Sequence, residues 1–71
     1  MTVFDAPAGK DYTVIQLLIN DKEVEAFLFS LGCFPGEELT VVTGNKNNSV
    51  IAVKDGRYCI DKNLAKSIIL A

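Results

Sequence analysis

The stretch LFSLGCFPGEELTVV, from Leu28 to Val42, contains the end of a helix, two turns and the start of a strand. Gly32 follows an apolar helical pattern, and glycine often ends a helix because it adopts a left-handed backbone without a Cβ clash. Pro35-Gly36 is typical of a second turn. The run EELTVVTG, Glu37 to Gly44, then predicts a strand, with Leu39 and Val41 on one face. The sequence therefore predicts a helix that passes into β-structure through a tight corner.

The residues before this corner predict one amphipathic helix that begins at Lys22. Asp21 is suited to cap it, because a carboxylate accepts hydrogen bonds from the free amides of the first turn. The helical spacing i, i+3, i+4, i+7 predicts a core-facing stripe of Val24, Phe27, Leu28 and Leu31. Phe29 lies about 140° from Val24 around the helix, so we expect it on the outer face.

The rest of the chain predicts short strands joined by tight turns. Residues 1–10 show little pattern and are expected to form a lead-in segment. The further predicted strands are Tyr12 to Ile19, Ser49 to Lys54, Arg57 to Ile60 and Ser67 to Leu70. Asp55-Gly56 is predicted as the central pair of a hairpin turn in which both residues have positive φ. Asp61 is predicted to cap a short helical turn over Lys62 to Lys66.

Composition limits the classes of function that this chain can have. Its 71 residues are enough for one small domain, here taken as 1–71, and an apolar share of 49% indicates a folded globule. The net charge is −2 and the basic residues are scattered, which argues against nucleic acid or a membrane surface as a partner. The sequence shows no spanning segment and no signal-peptide pattern. With two cysteines, it predicts a cytoplasmic protein with free thiols.

Five short strands with tight connections favour a small, partly open β-barrel, with the one amphipathic helix over an open end. The chain then resembles a known family at the corner itself. The pattern Leu28-x-x-Leu31-Gly32-x-x-Pro35-Gly36-x-x-Leu39-x-Val41-Val42 is similar to the signature of the FeoA family, ferrous iron transport protein A. The tail GRYCIDKNLAKSIIL, Gly56 to Leu70, is similar to that family's last hairpin, helical turn and final strand.

The resemblance implies a mainly β fold, an SH3-like barrel with a helix inserted after the first strand. It also implies an accessory or regulatory partner of FeoB, a membrane ferrous iron transporter with a cytosolic GTP-binding domain. Two departures from the family's pattern argue against charge-based docking at the places concerned. Ala26 and Phe27 stand where the family often has basic residues, and the turn at Asn45 to Asn48 is shorter than the family's usual one.

Little in the sequence indicates chemistry. There is no His, so imidazole metal sites and His-based triads are excluded. Cys33 and Cys59 cannot supply four zinc ligands, and we interpret both as small buried residues. The carboxylates Glu23, Glu25, Glu37 and Glu38 are interpreted as solvated charges. We therefore predict no enzyme activity, no metal site and no cofactor, although carboxylates can bind Fe(II) weakly. The alternative function is a small metal-sensing module that binds Fe(II) or another divalent transition metal directly.

A protein partner fits the sequence better. Phe29, Cys33, Phe34 and Pro35 are predicted to form an apolar contact patch at the helix exit, although a core position for Phe34 is equally consistent with the pattern. Gly32, Gly36, Asp55 and Gly56 are predicted to be structural turn residues. A third interpretation is a structural domain whose exposed apolar residues drive weak self-association.

Overall fold

A computed structural model describes all 71 residues and confirms a mainly β fold. Two of its seven elements are helices, and the others form one antiparallel sheet. In chain order they are β1 (Lys10–Leu17), α1 (Lys22–Leu31), β2 (Glu38–Gly44), β3 (Asn48–Val53), β4 (Gly56–Asp61), α2 (Lys62–Ser67) and β5 (Ile68–Leu70). The helix after the first strand and the short helix before the last strand are both present as predicted.

The two halves of β1 pair with different strands. The strand order is β4-β3-β2-β1-β5, and every pairing is antiparallel. β1 pairs with β2 through Lys10 to Thr13 and with β5 through Val14 to Leu17, with an irregularity between Val14 and Gln16. Such irregularities bend a strand and increase its twist. β4 and β5 end the sheet without pairing to each other, so the barrel is not closed.

The N-terminal segment contributes to the fold more than its sequence pattern predicts. Val3 is buried in the core, and its N–H donates to the carbonyl of Ile68 at 3.1 Å. The N–H of Leu70 donates to the carbonyl of Met1 at 2.7 Å. The first residues therefore cover the outer edge of β5.

α1 reaches the core only through its C-terminal part, which corrects one prediction. Leu28 is fully buried, whereas Val24 and Leu31 are half-buried. Phe27, predicted to face the core, is 50% exposed. Helical spacing indicates which residues share a face, but it does not indicate how far the helix overlaps the sheet. Here the overlap is narrow and leaves Phe27 outside it.

The β3–β4 turn lies one residue earlier than predicted. Val53 pairs with Gly56, so the two central residues are Lys54 and Asp55. Lys54 has a positive φ of 55°, and Gly56 begins β4 with an ordinary backbone. A side chain at position 56 would instead crowd Tyr58, because an added Cβ would overlap the Tyr58 hydroxyl oxygen and Cζ unless that ring moved.

Candidate partner-contact surface

The corner after α1 is built by the backbone of a helix end. Gly32 has φ 93°, and its N–H donates to the carbonyl of Phe29 at 3.0 Å. The N–H of Cys33 donates to the carbonyl of Leu28 at 2.9 Å. This pair of bonds is a Schellman motif, which satisfies the last helical carbonyls and redirects the chain sharply. At the other end of α1, the Asp21 carboxylate accepts from the first-turn amides as predicted.

The second turn ties the corner to the sheet. Gly36 has φ 95° and donates its N–H to the carbonyl of Val14 at 2.8 Å. Val14 in turn donates to the carbonyl of Glu37 at 2.8 Å, and Glu37 donates to the carbonyl of Phe34 at 3.0 Å. Both sides of the corner are therefore held by backbone hydrogen bonds. The structural turn roles predicted for Gly32 and Gly36 agree with these contacts.

The corner presents two aromatic rings to its surroundings. Phe29 is 48% exposed, so it lies on the outer face as predicted, and Phe34 is half-buried. Their ring centroids are 5.3 Å apart and their planes meet at 27°, which is a stacked pair. Pro35 beside them is exposed. Stacking restricts both rings, so the apolar surface they form has a defined shape.

Cys33 does not belong to this surface. Its side chain is fully buried, and burial raises the pKa of the Cys33 thiol to about 11. The side chain expected at the contact patch is therefore enclosed by the fold, in agreement with its interpretation as a small buried residue. Cys59 is the opposite case, since it is exposed on β4 and its predicted burial is wrong.

A basic side chain that the sequence did not indicate borders the corner. Lys54 Nζ lies 3.2 Å from Glu37 Oε2. The Lys54 side chain passes over Gly32, where an added Cβ would lie 2.8 Å from Lys54 Cγ. Lys54 also has a left-handed backbone, which is unusual for lysine and has no signal in the sequence. We define the corner surface as Phe29, Phe34, Pro35 and Lys54.

A shallow groove continues from the corner surface toward the β3–β4 turn. Its volume is about 450 Å³, and its lining includes Phe29, Gly32, Lys54 and Tyr58. A second groove of about 410 Å³ lies between the end of β1 and α2, with Leu18, Val24 and Leu64 among its lining residues. Both grooves are open to solvent, and they offer apolar and polar groups to a macromolecule rather than an enclosed site to a small ligand.

No group of three or more His, Cys, Asp or Glu side chains lies close enough together to hold a metal ion. Glu37 is engaged by Lys54, while Asp21 and Asp61 cap the two helices. None of the helices is long and apolar enough to cross a membrane.

Comparisons with known proteins agree with the resemblance seen in the sequence. A family model described as the FeoA domain matches residues 1–71. Among solved structures, the chain is similar to the crystal structure of an iron uptake regulatory protein (FeoA), with a TM-score of 0.86 and 21% sequence identity. The match covers 99% of this chain and 93% of the other. No curated protein matches the chain.

Proposed function

The chain belongs to the FeoA family, and we propose that it acts in the cytoplasm as a non-catalytic accessory protein of ferrous iron uptake. Membership of the family supports a role in ferrous iron transport. The finer proposal is that the corner surface binds the cytosolic part of a FeoB-type membrane transporter. The similarity to an iron uptake regulatory protein of known structure supports the fold on which this surface is built.

The observation that carries the proposal is the stacked, partly exposed pair of Phe29 and Phe34. Aromatic residues dominate the energetics of many interfaces because they bury a large area and have few rotatable bonds. The backbone hydrogen bonds around Gly32 and Gly36 hold this pair in place before any partner binds. A surface that is already ordered loses less conformational entropy on binding.

Lys54 adds a charge to the rim of the same surface. Its side chain is 56% exposed, and its ammonium group is paired with the Glu37 carboxylate at 3.2 Å. A rim charge mainly steers encounter and selects orientation, and the aromatic centre supplies most of the affinity. An apolar pocket that accepts the two rings is therefore the feature we expect on the partner.

The alternative, a module that senses Fe(II) directly, has weaker support from the geometry. Hard carboxylate ligands must converge to hold Fe(II), and no three ligand side chains do so here. Glu37 would also have to leave Lys54 to serve as a ligand.

Isothermal titration calorimetry with the isolated cytosolic domain of a FeoB-type transporter tests the proposal. Phe29→Ala and Phe34→Ala should each weaken binding at least tenfold, about 1.4 kcal/mol. Phe27→Ala is a matched control, because Phe27 is on the same helix and is exposed to nearly the same extent. Phe27→Ala should change affinity by less than about twofold. Equal losses at positions 27 and 29 would refute the corner surface as the contact site.

Regulation of a transporter requires a difference in affinity between its states. An accessory protein that binds two states equally well shifts nothing. The same titration against the GDP-bound domain and against the domain with a GTP analogue should therefore give different dissociation constants. Identical constants would argue that the chain acts as a constitutive component and not as a regulator.

A further inference from the structure

One long edge of the sheet is unpaired. β4 ends the strand order and pairs only with β3. The other end strand, β5, is covered by residues 1–3 through the bridge between Thr2 and Ile69. An unpaired edge presents N–H and C=O groups that can pair with another strand.

The ladder between β3 and β4 determines which backbone groups point outward. In a two-residue hairpin the closing pair, here Val53 and Gly56, is the hydrogen-bonded one, and bonded and non-bonded pairs then alternate. By this alternation the pair after Asn48 and Asp61 should be hydrogen-bonded, and the N–H of Lys62 does donate to the carbonyl of Asn47 at 2.9 Å. The backbone groups that face the open edge are therefore those of Arg57 and Cys59 and the N–H of Asp61, whose carbonyl accepts the first hydrogen bond of α2.

The side chains of the same three residues lie on the outer face of the sheet. All three are exposed, whereas Tyr58 and Ile60 between them point toward the core side. Along this face the strand carries a basic side chain, a thiol and an acidic side chain at equal spacing. Such a strand is complementary to itself when it is turned through 180°.

We propose that β4 pairs in antiparallel fashion with β4 of a second copy of this chain, centred on Cys59. In this register Arg57 of each copy lies opposite Asp61 of the other, and the two Cys59 residues face each other. Directly opposed Cβ atoms in an antiparallel pair are about 4.5–5.5 Å apart, so both charge pairs can form. Continuation of the sheet across the two copies satisfies the outward-facing backbone groups.

The charges also exclude the competing arrangements. Parallel pairing in register would place Arg57 opposite Arg57 and Asp61 opposite Asp61, which is repulsive. A shift of two residues in the antiparallel register leaves both charges without their partners. Arg57 has no salt bridge within its own chain, since the only one present joins Lys54 to Glu37. Asp61 uses Oδ1 to cap α2, which leaves its second oxygen for the other copy.

Sedimentation equilibrium of the purified chain, from low micromolar to about 1 mM, tests this pairing. The wild-type chain should show a concentration-dependent monomer–dimer equilibrium. Arg57→Glu places like charges opposite each other and should raise the dimer dissociation constant at least tenfold. Lys46→Glu makes the same change of net charge in the exposed β2–β3 turn and should leave the constant unchanged within about twofold.

A mixing experiment makes the test specific for the register. Chains with Arg57→Glu and chains with Asp61→Arg should each dimerise poorly alone, because each would place two like-charged pairs in its own dimer. An equimolar mixture restores both opposite-charge pairs and should dimerise again. A short bismaleimide should join Cys59 to Cys59 in the wild type and in the mixture, but not in either variant alone.

Circular dichroism and urea unfolding establish that each variant is folded, since Asp61→Arg also removes the α2 cap. A chain that stays monomeric to about 1 mM would overturn the proposal. A dimer that is insensitive to Arg57→Glu, or that is lost with Phe29→Ala instead, would also overturn it, and the latter would assign self-association to the corner surface.

Discussion

Replacement of Gly32 by alanine probes the corner on which the proposed contact surface depends. Gly32 has φ 93°, and a left-handed backbone costs a residue with a Cβ about 1–2 kcal/mol. The new Cβ would also lie 2.8 Å from Lys54 Cγ and 3.0 Å from Lys54 Cε. Lys54 must therefore move, which costs about 0.5–1.5 kcal/mol in rotamer strain and up to about 1 kcal/mol from the exposed Glu37 pair. We expect Gly32→Ala to lower the free energy of unfolding by about 2–4 kcal/mol.

Gly36→Ala is the matched control for this substitution. Gly36 has nearly the same φ, 95°, but an added Cβ would have no atom within 4 Å. Only the backbone cost applies, so Gly36→Ala should destabilise by about 1–2 kcal/mol. The difference between the two variants measures the contact with Lys54. In a Lys54→Ala background this difference should disappear, because the atoms that obstruct the Cβ are gone.

Urea unfolding followed by circular dichroism measures all of these variants. In a domain of this size, each 1 kcal/mol should also lower Tm by about 4–8 °C. A Gly32→Ala cost no larger than that of Gly36→Ala would refute the predicted clash with Lys54. A difference that persisted in the Lys54→Ala background would refute it too, because the extra cost would then arise elsewhere.

Three further predictions follow from burial. Leu28→Ala should lower the free energy of unfolding in urea by about 2–5 kcal/mol, because Leu28 is fully buried. Phe27→Ala should cost less than about 1 kcal/mol. Similar losses for the two variants would contradict the narrow contact between α1 and the sheet. A thiol reagent should label Cys59 at once and Cys33 only after unfolding, and mass spectrometry counts the labels. Rapid labelling of both thiols in the folded chain would instead show that the core around Cys33 opens. Burial raises the pKa of the Cys33 thiol from 9.0 to about 11, so the unfolded chain loses this proton at a lower pH than the folded chain does. The free energy of unfolding is therefore unaffected by this group below about pH 9 and falls as the pH rises from 9 toward 11. The ionisation of Cys33 can lower the free energy of unfolding by up to about 2–3 kcal/mol between pH 9 and 11. Cys33→Ala should therefore lose stability less steeply than the wild type over this pH range. Parallel plots of stability against pH for the two proteins would exclude the effect.

The parts of the fold that the sequence predicts correctly are those determined by neighbouring residues. α1 spans Lys22–Leu31 with Asp21 and Gly32 at its ends, as the capping pattern predicts. Caps depend on a side chain or a glycine and on the few amides beside it. The outward position of Phe29 follows from helical geometry in the same way.

The parts that the sequence did not predict depend on contacts between distant segments. Phe27 is exposed because α1 meets the sheet only near Leu28, and Val3 is buried because the N-terminus pairs with β5. The exposure of Cys59 follows from the alternation along an edge strand whose position no local pattern indicates. For the candidate site, Phe29 and Phe34 were identified from the sequence. Their stacking and the position of Lys54 over Gly32 depend on the angle of the turn.

Amide chemical-shift mapping of the ¹⁵N-labelled chain tests the central claim most directly. Unlabelled cytosolic domain of a FeoB-type transporter would be added, and the shifted amides would be located on the structure. We predict that they cluster at residues 29–37 and at the β3–β4 turn around Lys54. The claim that the corner surface is the contact site would be contradicted by shifts confined to the second groove, at residues 18–24 and 61–67. The absence of shifts at a saturating concentration of the partner would contradict it as well.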